Sequence, residues 1–352
     1  MFVTGIGTAN PTQRYSKAEC WEAFTCSDWF TRLGPRSRSI AEAVLFRDNG
    51  IDSRHLAVKS LREVFNIDPD ALYARFLSHA PLLASQAGEV ALANAQVDAK
   101  QIDGVVVSTC TGYLCPGISG YVIEQLQLRP EIQAFDLVGQ GCAAALPNWQ
   151  LANALLSSGQ CRHVLSICVE VCSAAMYLDD DPGVLISACL FGDGAGAAVL
   201  SKSPGVIRRR IEWTHSASLI NPSKRKALLF EQRQGMLRNV LTREVPQLAA
   251  GHAYQVLKSV LRSSGVSQAE IRTWVMHAGG RDVLAALQER FGVEPTAFRY
   301  SAAILRDYGN MSSAFIYYVL QAALKDKAAS GWWWMSTFGA GFSCHGALLE
   351  VS

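Results

Sequence analysis

The sequence predicts an α/β protein built from two similar halves, and three observations carry this. Short apolar or β-branched runs alternate with helical segments along the 352 residues, the pattern of strand–helix units. Glycine-flanked motifs come in pairs. Gly141-Cys142 before an apolar helix ending at Gly159 matches Gly309-Asn310 before a helix ending at Gly331. Phe191-Gly192-Asp193-Gly194 matches Phe338-Gly339-Ala340-Gly341, and residues 105–112 match residues 274–279. Third, the segment after Cys142 carries Leu146, Trp149, Leu151, Leu155 and Leu156 with almost no charge, so it should be buried on every side. Two halves that cannot each cover their own sheet would pack together with such helices between them. A polar hinge at residues 201–205 divides the chain into residues 1–203, carrying Cys142, and residues 204–352, carrying His277 and Asn310.

Taken in order, residues 2–7 read as a strand stopped by Ala9-Asn10-Pro11. Helices dominate residues 16–47, and residues 50–55 are a polar connection. Residues 73–97 form a long amphipathic helix. Val105, Val106 and Val107 mark a strand over residues 104–109 that runs into the loop 110–117. After another helix, residues 135–138 form a short buried strand. Gly139 and Gly141 permit a tight turn, and a helix follows from residue 143 to about residue 158. Residues 163–169 are a strand. The longest apolar stretch, residues 184–200, contains Asp193 and three glycines and reads as turns and core strands, not a membrane span. In the second half, strands are expected at residues 206–214, 273–276, 332–336 and 347–351. Helices are expected at residues 249–264 and from residue 308 to about residue 329.

Composition narrows the function. With 49% hydrophobic and 18% charged residues a large core is expected, and a net charge of +2 gives no case for nucleic acid. The basic runs Arg208-Arg209-Arg210 and Lys224-Arg225-Lys226 read as solvated edges. The ten cysteines are scattered without metal spacing, as in a cytoplasmic protein with reduced thiols. The first residues lack the pattern of a signal peptide.

Cys142 should sit at a helix N-terminus, where the partial positive charge lowers a thiol pKa. It reads as a nucleophile or, more blandly, as a buried structural cysteine. His277 alone reads as a hydrogen-bonded core group, and Asn310 as a helix cap. If equivalent loops of the two halves converge, the three residues meet. His277 could then hold a Cys142 thiolate, while Asn310 can only offer hydrogen bonds. The imidazole and amide N–H groups would make an oxyanion hole, not a hydrolytic triad. That pair suits a reaction developing an enolate, such as decarboxylation of a malonyl thioester, in which loss of CO2 supplies the carbanion.

The motifs Val138-Gly-Gln-Gly-Cys142-Ala-Ala-Ala, Phe191-Gly-Asp-Gly-Ala195, His277-Ala-Gly-Gly280 and Tyr308-Gly-Asn-Met-Ser-Ser-Ala314 together resemble the type III polyketide synthases, the chalcone and stilbene synthase superfamily. Gly5-Ile-Gly-Thr-Ala-Asn-Pro11 and Gly50-Ile-Asp-Ser-Arg-His55 extend the resemblance over nearly the whole chain. The resemblance implies a thiolase-like αβαβα five-layer fold from two pseudo-duplicated halves, and a homodimer. It also implies a Cys-His-Asn site that loads an acyl-CoA starter, decarboxylates malonyl-CoA and condenses repeatedly without a metal or redox cofactor. Mapped by motif, Cys142 is the nucleophile, and His277 and Asn310 form the decarboxylation and oxyanion pair. Phe191 gates the cavity, and Cys115 reaches across the dimer. Thr111, Cys172, Ala174, Ala175, Gly279 and Ser312 are substrate-binding candidates within the same motifs.

This chain departs from the family in several places. Arg238 aligns near a second gatekeeper phenylalanine. Ala340 replaces a proline in the last glycine loop, which should loosen it. The basic cluster for CoA phosphates has no clear counterpart beyond Arg36, Arg38, Arg47 and Arg54, which leaves an acyl carrier protein as another source of the starter. Small residues such as Ala174, Ala175 and Cys115 favour a fatty acyl starter, although Met176 and Tyr177 could refill the space. The shorter chain looks bacterial. A ketoacyl-ACP synthase III, condensing once, is the nearest alternative, but that family has His-Gln-Ala-Asn where this chain has His277-Ala-Gly-Gly280. A thiolase is weaker, since Asn310 has no place in its mechanism. An inactive thiolase-fold subunit that binds an acyl ligand is the alternative of another class.

Overall fold

In a computed structural model, which describes residues 1–46, 49–205 and 209–352, the two halves contribute strands to one continuous mixed sheet in the same order. The first half holds β1 (Phe2–Ala9), β2 (Arg14–Ser16), β3 (Ser53–His55), β4 (Gly104–Ser108), β5 (Gln133–Leu137), β6 (His163–Glu170) and β7 (Gly194–Ser201). The second holds β8 (Ile211–Ile220), β9 (Leu228–Arg233), β10 (Met236–Leu241), β11 (Ile271–Met276), β12 (Gly331–Gly339) and β13 (Ser343–Val351). Beside the main sheet, β2 pairs with β3 and β9 with β10 in two separate ribbons. The helices are α1 (Lys17–Thr25), α2 (Asp28–Arg32), α3 (Pro35–Leu45), α4 (Pro69–Ala95), α5 (Ile118–Gln125), α6 (Ala145–Ser157), α7 (Pro182–Leu190), α8 (Val245–Ser264), α9 (Arg281–Phe291), α10 (Arg299–Tyr308) and α11 (Phe315–Lys325).

The sheet order is β11-β12-β13-β8-β1-β7-β6-β4-β5. β4 runs parallel to β6, which pairs antiparallel with β7 and then β1. β11, β12, β13 and β8 repeat those relations. β5 extends the first half by one more parallel strand. The halves join edge to edge at Phe2 and Glu212.

Helices complete the layers. α4 packs outside on β1, β6 and β7, and α8 packs outside on β8, β12 and β13. α6 touches β4, β6 and β7 on one side and β12 and β13 on the other, while α11 touches β1, β7 and β11. These two helices are the middle layer, which explains their lack of charge. Trp149 of α6 is fully buried and donates from Nε1 to Tyr317 Oη of α11 at 3.2 Å. Tyr317 Oη also meets Ser166 Oγ of β6 at 2.9 Å.

Some expectations shift. α4 begins at Pro69, because the Asp68 carboxylate accepts from Asp70 and Ala71 N–H and Pro69 suits the first helical turn. Residues 184–190, part of the stretch 184–200 read as turns and strands, instead lie in α7; Asp181 caps it and Pro182 opens it. β8 starts at Ile211; Arg47, Val206 and Arg208 lie outside the described residues. The β9–β10 hairpin, α9 and α10 were not anticipated from sequence. Among the described residues no helix is long and apolar enough to cross a membrane.

Trp149→Ala should cost about 3–5 kcal/mol, the range for a buried aromatic, because it opens a cavity in the shared layer and removes a donor to Tyr317. Urea unfolding measures this; a loss below about 1 kcal/mol would contradict it.

Candidate active site

Cys142 lies in a short 3-10 turn, Gly141–Ala143, between β5 and α6. The second half backs this turn. Thr337 Oγ1 donates to Ala143 O at 3.0 Å, and a Cβ on Gly339 would lie 2.6 Å from Ala143 N. Only glycine permits that approach. Asn310 occupies the equivalent turn before α11. Gly309 has φ +71° and takes the chain off α10, and a Cβ there would sit 2.9 Å from Leu190 O. Asn310 N donates to Leu190 O at 2.9 Å, and its carbonyl accepts from Gly192 N at 3.0 Å. Its side-chain Oδ1 accepts from Ser312 N at 2.8 Å, and Nδ2 donates to Gly279 O at 3.2 Å. An amide NH2 carries two hydrogens, so one remains for a ligand.

His277 follows β11, and its N–H donates to Ser336 O at 2.9 Å. The edges of Phe315 and Phe338 hold the ring, with centroids 5.4 Å and 4.8 Å away. Both ring nitrogens are buried and lack a hydrogen-bond partner among the described residues. Buried polar atoms are rarely left so unless something else binds them.

One cavity of about 800 Å³ is lined by Cys142, His277, Gly279, Asn310 and Phe191 together. The structure therefore brings the three sequence candidates to one space. Phe191 also lines a second, small pocket of about 30 Å³, with Thr111, Cys172, Ala175 and Ser312 in its wall. Phe191 stands between the two. A separate groove of about 600 Å³ is lined by Thr111, Ala174, Phe230 and residues of α4.

The electrostatics differ from expectation. Burial pushes the Cys142 thiol up to about 12, against the Ser312 hydroxyl, which donates to Sγ at 3.1 Å, and with help from the Glu170 carboxylate. The helix-terminus effect loses because α6 starts only at Ala145 and, although the Cys142 amide itself favours the thiolate, the next two amides are committed. Ala143 N donates to Gln140 O and Ala144 N to Gly141 O, both at 3.2 Å. Burial lowers His277 to about 3, so its imidazole is neutral. At neutral pH the cavity thus holds a neutral thiol and a neutral imidazole.

Other candidates divide. Thr111 donates to Glu170 at 3.0 Å and accepts from Val171 N–H at 2.9 Å, so its hydroxyl is structural as well as wall-forming. Ala174 lines the groove, not the pocket behind Phe191. Cys115 is exposed on its loop. Arg238 lies away from the cavities; Asp179 at 3.4 Å, Asp181 at 3.2 Å and Glu231 at 3.0 Å hold its guanidinium. Strand alternation instead turns Asn239 inward, where it lines both the cavity and the pocket, with Oδ1 lacking a partner among the described residues. Ala340 leaves its loop well tied: Ser343 Oγ donates to Ala340 O at 3.0 Å, and Phe342 and Asn221 exchange main-chain bonds at 2.8 and 3.2 Å.

Glu170 was missed. It is fully buried and accepts from Cys110 N at 3.0 Å, Thr111 Oγ1 at 3.0 Å and Ser313 Oγ, while Ser312 Oγ, 3.2 Å away, can give its one hydrogen either to this carboxylate or to Cys142 Sγ. Burial raises its pKa, and these donors oppose the rise. The available signal was a carboxylate closing an otherwise apolar strand. Among the described residues no cluster of His, Cys, Asp and Glu is placed to hold a metal ion.

Two family models match in succession. The FAE1/type III polyketide synthase-like protein model covers residues 55–217, and the chalcone and stilbene synthase C-terminal domain model covers residues 214–351. The chain belongs to the type III polyketide synthases. As such it is an acyltransferase that condenses acyl-CoA units iteratively into polyketides, and neither the single-condensation nor the inactive reading is favoured. A 3,5-dihydroxyphenylacetyl-CoA synthase of Amycolatopsis orientalis is 26% identical over 352 residues, 98% of this chain and 92% of that protein. The C-terminal type III polyketide synthase domain of Steely1 from Dictyostelium superposes with a TM-score of 0.88 at 23% identity, covering 99% of this chain and 98% of that one. The 1,3,6,8-tetrahydroxynaphthalene synthase of Streptomyces coelicolor gives 0.88 at 21%, covering 99% of each. These likenesses match the fold of this type III polyketide synthase over its whole length, five layers included.

With Cys142 at about 12, alkylation by iodoacetamide should rise about tenfold per pH unit from pH 7 to 10 without a plateau. Ser312→Ala removes a donor that favours the thiolate and should slow it at every pH. A plateau below pH 8 would instead reveal a thiolate–imidazolium pair in the unliganded enzyme.

Proposed function

We propose that Cys142 carries the growing acyl chain while His277 and Asn310 hold the thioester oxygen of malonyl-CoA. The observation that carries this is the pair of unpartnered donors, the His277 ring nitrogen and the remaining Asn310 amide hydrogen, in one cavity with a thiol. Cys142 passes its proton to His277 as it attacks the starter thioester, and the departing CoA thiolate takes that proton. Malonyl-CoA then binds and loses CO2, and the enolate oxygen is stabilised by the two N–H donors. The enolate carbon attacks the Cys142 thioester, displacing the thiolate and leaving a β-ketoacyl-CoA for the next round. Each round forms one carbon–carbon bond with no net redox change, so the chemistry calls for no resident metal or redox group.

The small pocket of about 30 Å³ behind Phe191, walled in part by Met176 and Tyr177, weighs for a short starter against the fatty acyl expectation. We read the starter as short. The relative's name describes a 3,5-dihydroxyphenyl product, which supports a resorcinol-type ring here. CoA phosphates would meet Arg36 together with Arg243 and Arg281, which line the large cavity. Arg38 and Arg54 are instead bonded to main-chain carbonyls. That favours CoA over a carrier protein as the source of the starter. Homodimerisation through the exposed Cys115 loop, and residues 1–203 and 204–352 as the two functional halves, belong to the same reading; the repeated strand order supports the latter.

Product mass spectrometry with malonyl-CoA and acyl-CoA starters should show more than one added acetate unit, absent in Cys142→Ala. Asn310→Ala should slow malonyl-CoA decarboxylation about 100- to 1,000-fold, as loss of an oxyanion donor does. A single-extension product from the wild type, or undiminished decarboxylation in Asn310→Ala, would refute the reading.

A further inference from the structure

The large cavity, the small pocket and the outer groove share one wall, the β9–β10 ribbon, which is not paired with the main sheet. Leu228 and Leu241 line the large cavity, Phe230 and Asn239 the small pocket, and Met236 and Leu237 the groove. A displaced ribbon would join these spaces and admit water to them. β10 packs on α7 so closely that a Cβ on Gly183 would lie 2.6 Å from Leu241 O. Beside that contact, Arg238 faces away from the cavities into three carboxylates, with 13% of its side chain exposed. Glu231 stands opposite Arg238 within the ribbon, whereas Asp179 and Asp181 belong to the segment that opens α7. Asp181 serves both elements: Oδ1 caps the helix, accepting from Gly183 N at 2.8 Å and Val184 N at 3.2 Å, and Oδ2 lies 3.2 Å from Arg238 Nη2. Asp179 Oδ1 accepts from Asp181 N at 3.0 Å, and its Oδ2 lies 3.4 Å from Arg238 Nε. One guanidinium, with donors fixed in a plane, thus fastens the ribbon to the cap of the helix that ends at Phe191.

We propose that Arg238 is a positioning residue that clamps the ribbon onto α7 and so keeps water from the enolate formed at His277 and Asn310. The proposal rests on the reading of those two residues as the enolate site. The enolate left by loss of CO2 has two fates. Its carbon attacks the Cys142 thioester, or it takes a proton from water, giving acetyl-CoA and hydroxide with no carbon–carbon bond. The clamped ribbon favours the first fate, and a released ribbon lets in the water that the second requires.

The test supplies malonyl-CoA and butyryl-CoA and reads free acetyl-CoA against CO2 released. A ratio taken within one sample does not depend on the fraction of enzyme that is folded. In Arg238→Gln it should rise about threefold or more, the factor by which losing partly exposed ion pairs shifts an opening equilibrium. Asp179→Asn keeps an acceptor for Asp181 N but removes one tie, and should raise the ratio part of the way. Glu231→Gln breaks only the tie inside the ribbon and should leave it unchanged. Arg238→Lys keeps the charge without the planar fork and should restore part of the coupling. In an Arg238→Gln background Asp179→Asn should add nothing, since the interaction is already gone. A rise in Glu231→Gln equal to that in Asp179→Asn overturns the proposal. CO2 release alone, measured in Asn310→Ala, tests the enolate site separately. Undiminished release there overturns that site and the clamp with it, whereas a flat ratio in Arg238→Gln overturns the clamp alone.

Discussion

The middle layer is the constraint on which the rest depends. α6 and α11 lie between the two halves of the sheet, so along most of their length they must be apolar and must be fixed against each other by the few buried polar atoms they carry. Trp149, Tyr317 and Ser166 supply that fixed point. Once the two helices are locked, so are the turns that open them. One turn carries Cys142 and the other carries Asn310 and Ser312, and the 3.1 Å contact between Ser312 and the Cys142 sulfur follows from helix packing. The reactive residues thus sit at the ends of the most buried elements of the protein, not on mobile loops.

That placement sets the electrostatics. Taking a thiol, an imidazole and a carboxylate out of water favours the uncharged form of each. Glu170 opposes this with donors from Cys110, Thr111 and Ser313 and in competition with Cys142 for the Ser312 hydroxyl, whereas among the described residues the His277 ring nitrogens have no hydrogen-bond partner and the ring packs against Phe315 and Phe338. The site is polar where a ligand must be oriented and nearly uncharged where charge must later develop. A preorganised donor in such surroundings counts for more than the same donor in water.

Much of this was legible in the sequence. The paired glycine motifs showed the duplication, and the uncharged segment after Cys142 showed that something had to lie between two sheets. Cys142, His277 and Asn310 could be chosen because each stood at the end of an expected element beside glycine. What could not be read was direction and depth. Arg238 and Asn239 are adjacent, and only the register of β10 decides which faces the cavity. The thiol pKa depended on a contest between a helix terminus and burial, and the sequence shows the first but not the extent of the second. Residues 184–190 misled because an apolar run fits a buried helix and a buried strand equally well; Asp181-Pro182 was the cue that should have decided it. Glu170 gathers donors from segments some sixty and a hundred and forty residues away, so no local pattern could reveal its partners.

The main chain at Phe191 is stitched to that at Asn310. Residues 190 and 192 bond Asn310 on either side, and Phe191 and Asn310 form a parallel bridge. The segment that separates the large cavity from the pocket behind it cannot lift away without dragging Asn310 with it. Passage past Phe191 is left to rotation of its ring, a motion on the order of nanoseconds for a partly exposed side chain, not to a lid opening over microseconds or longer. Turnover in this enzyme should then be paced by bond making and product departure, with no slow gate whose opening frequency a crowded or viscous medium could throttle.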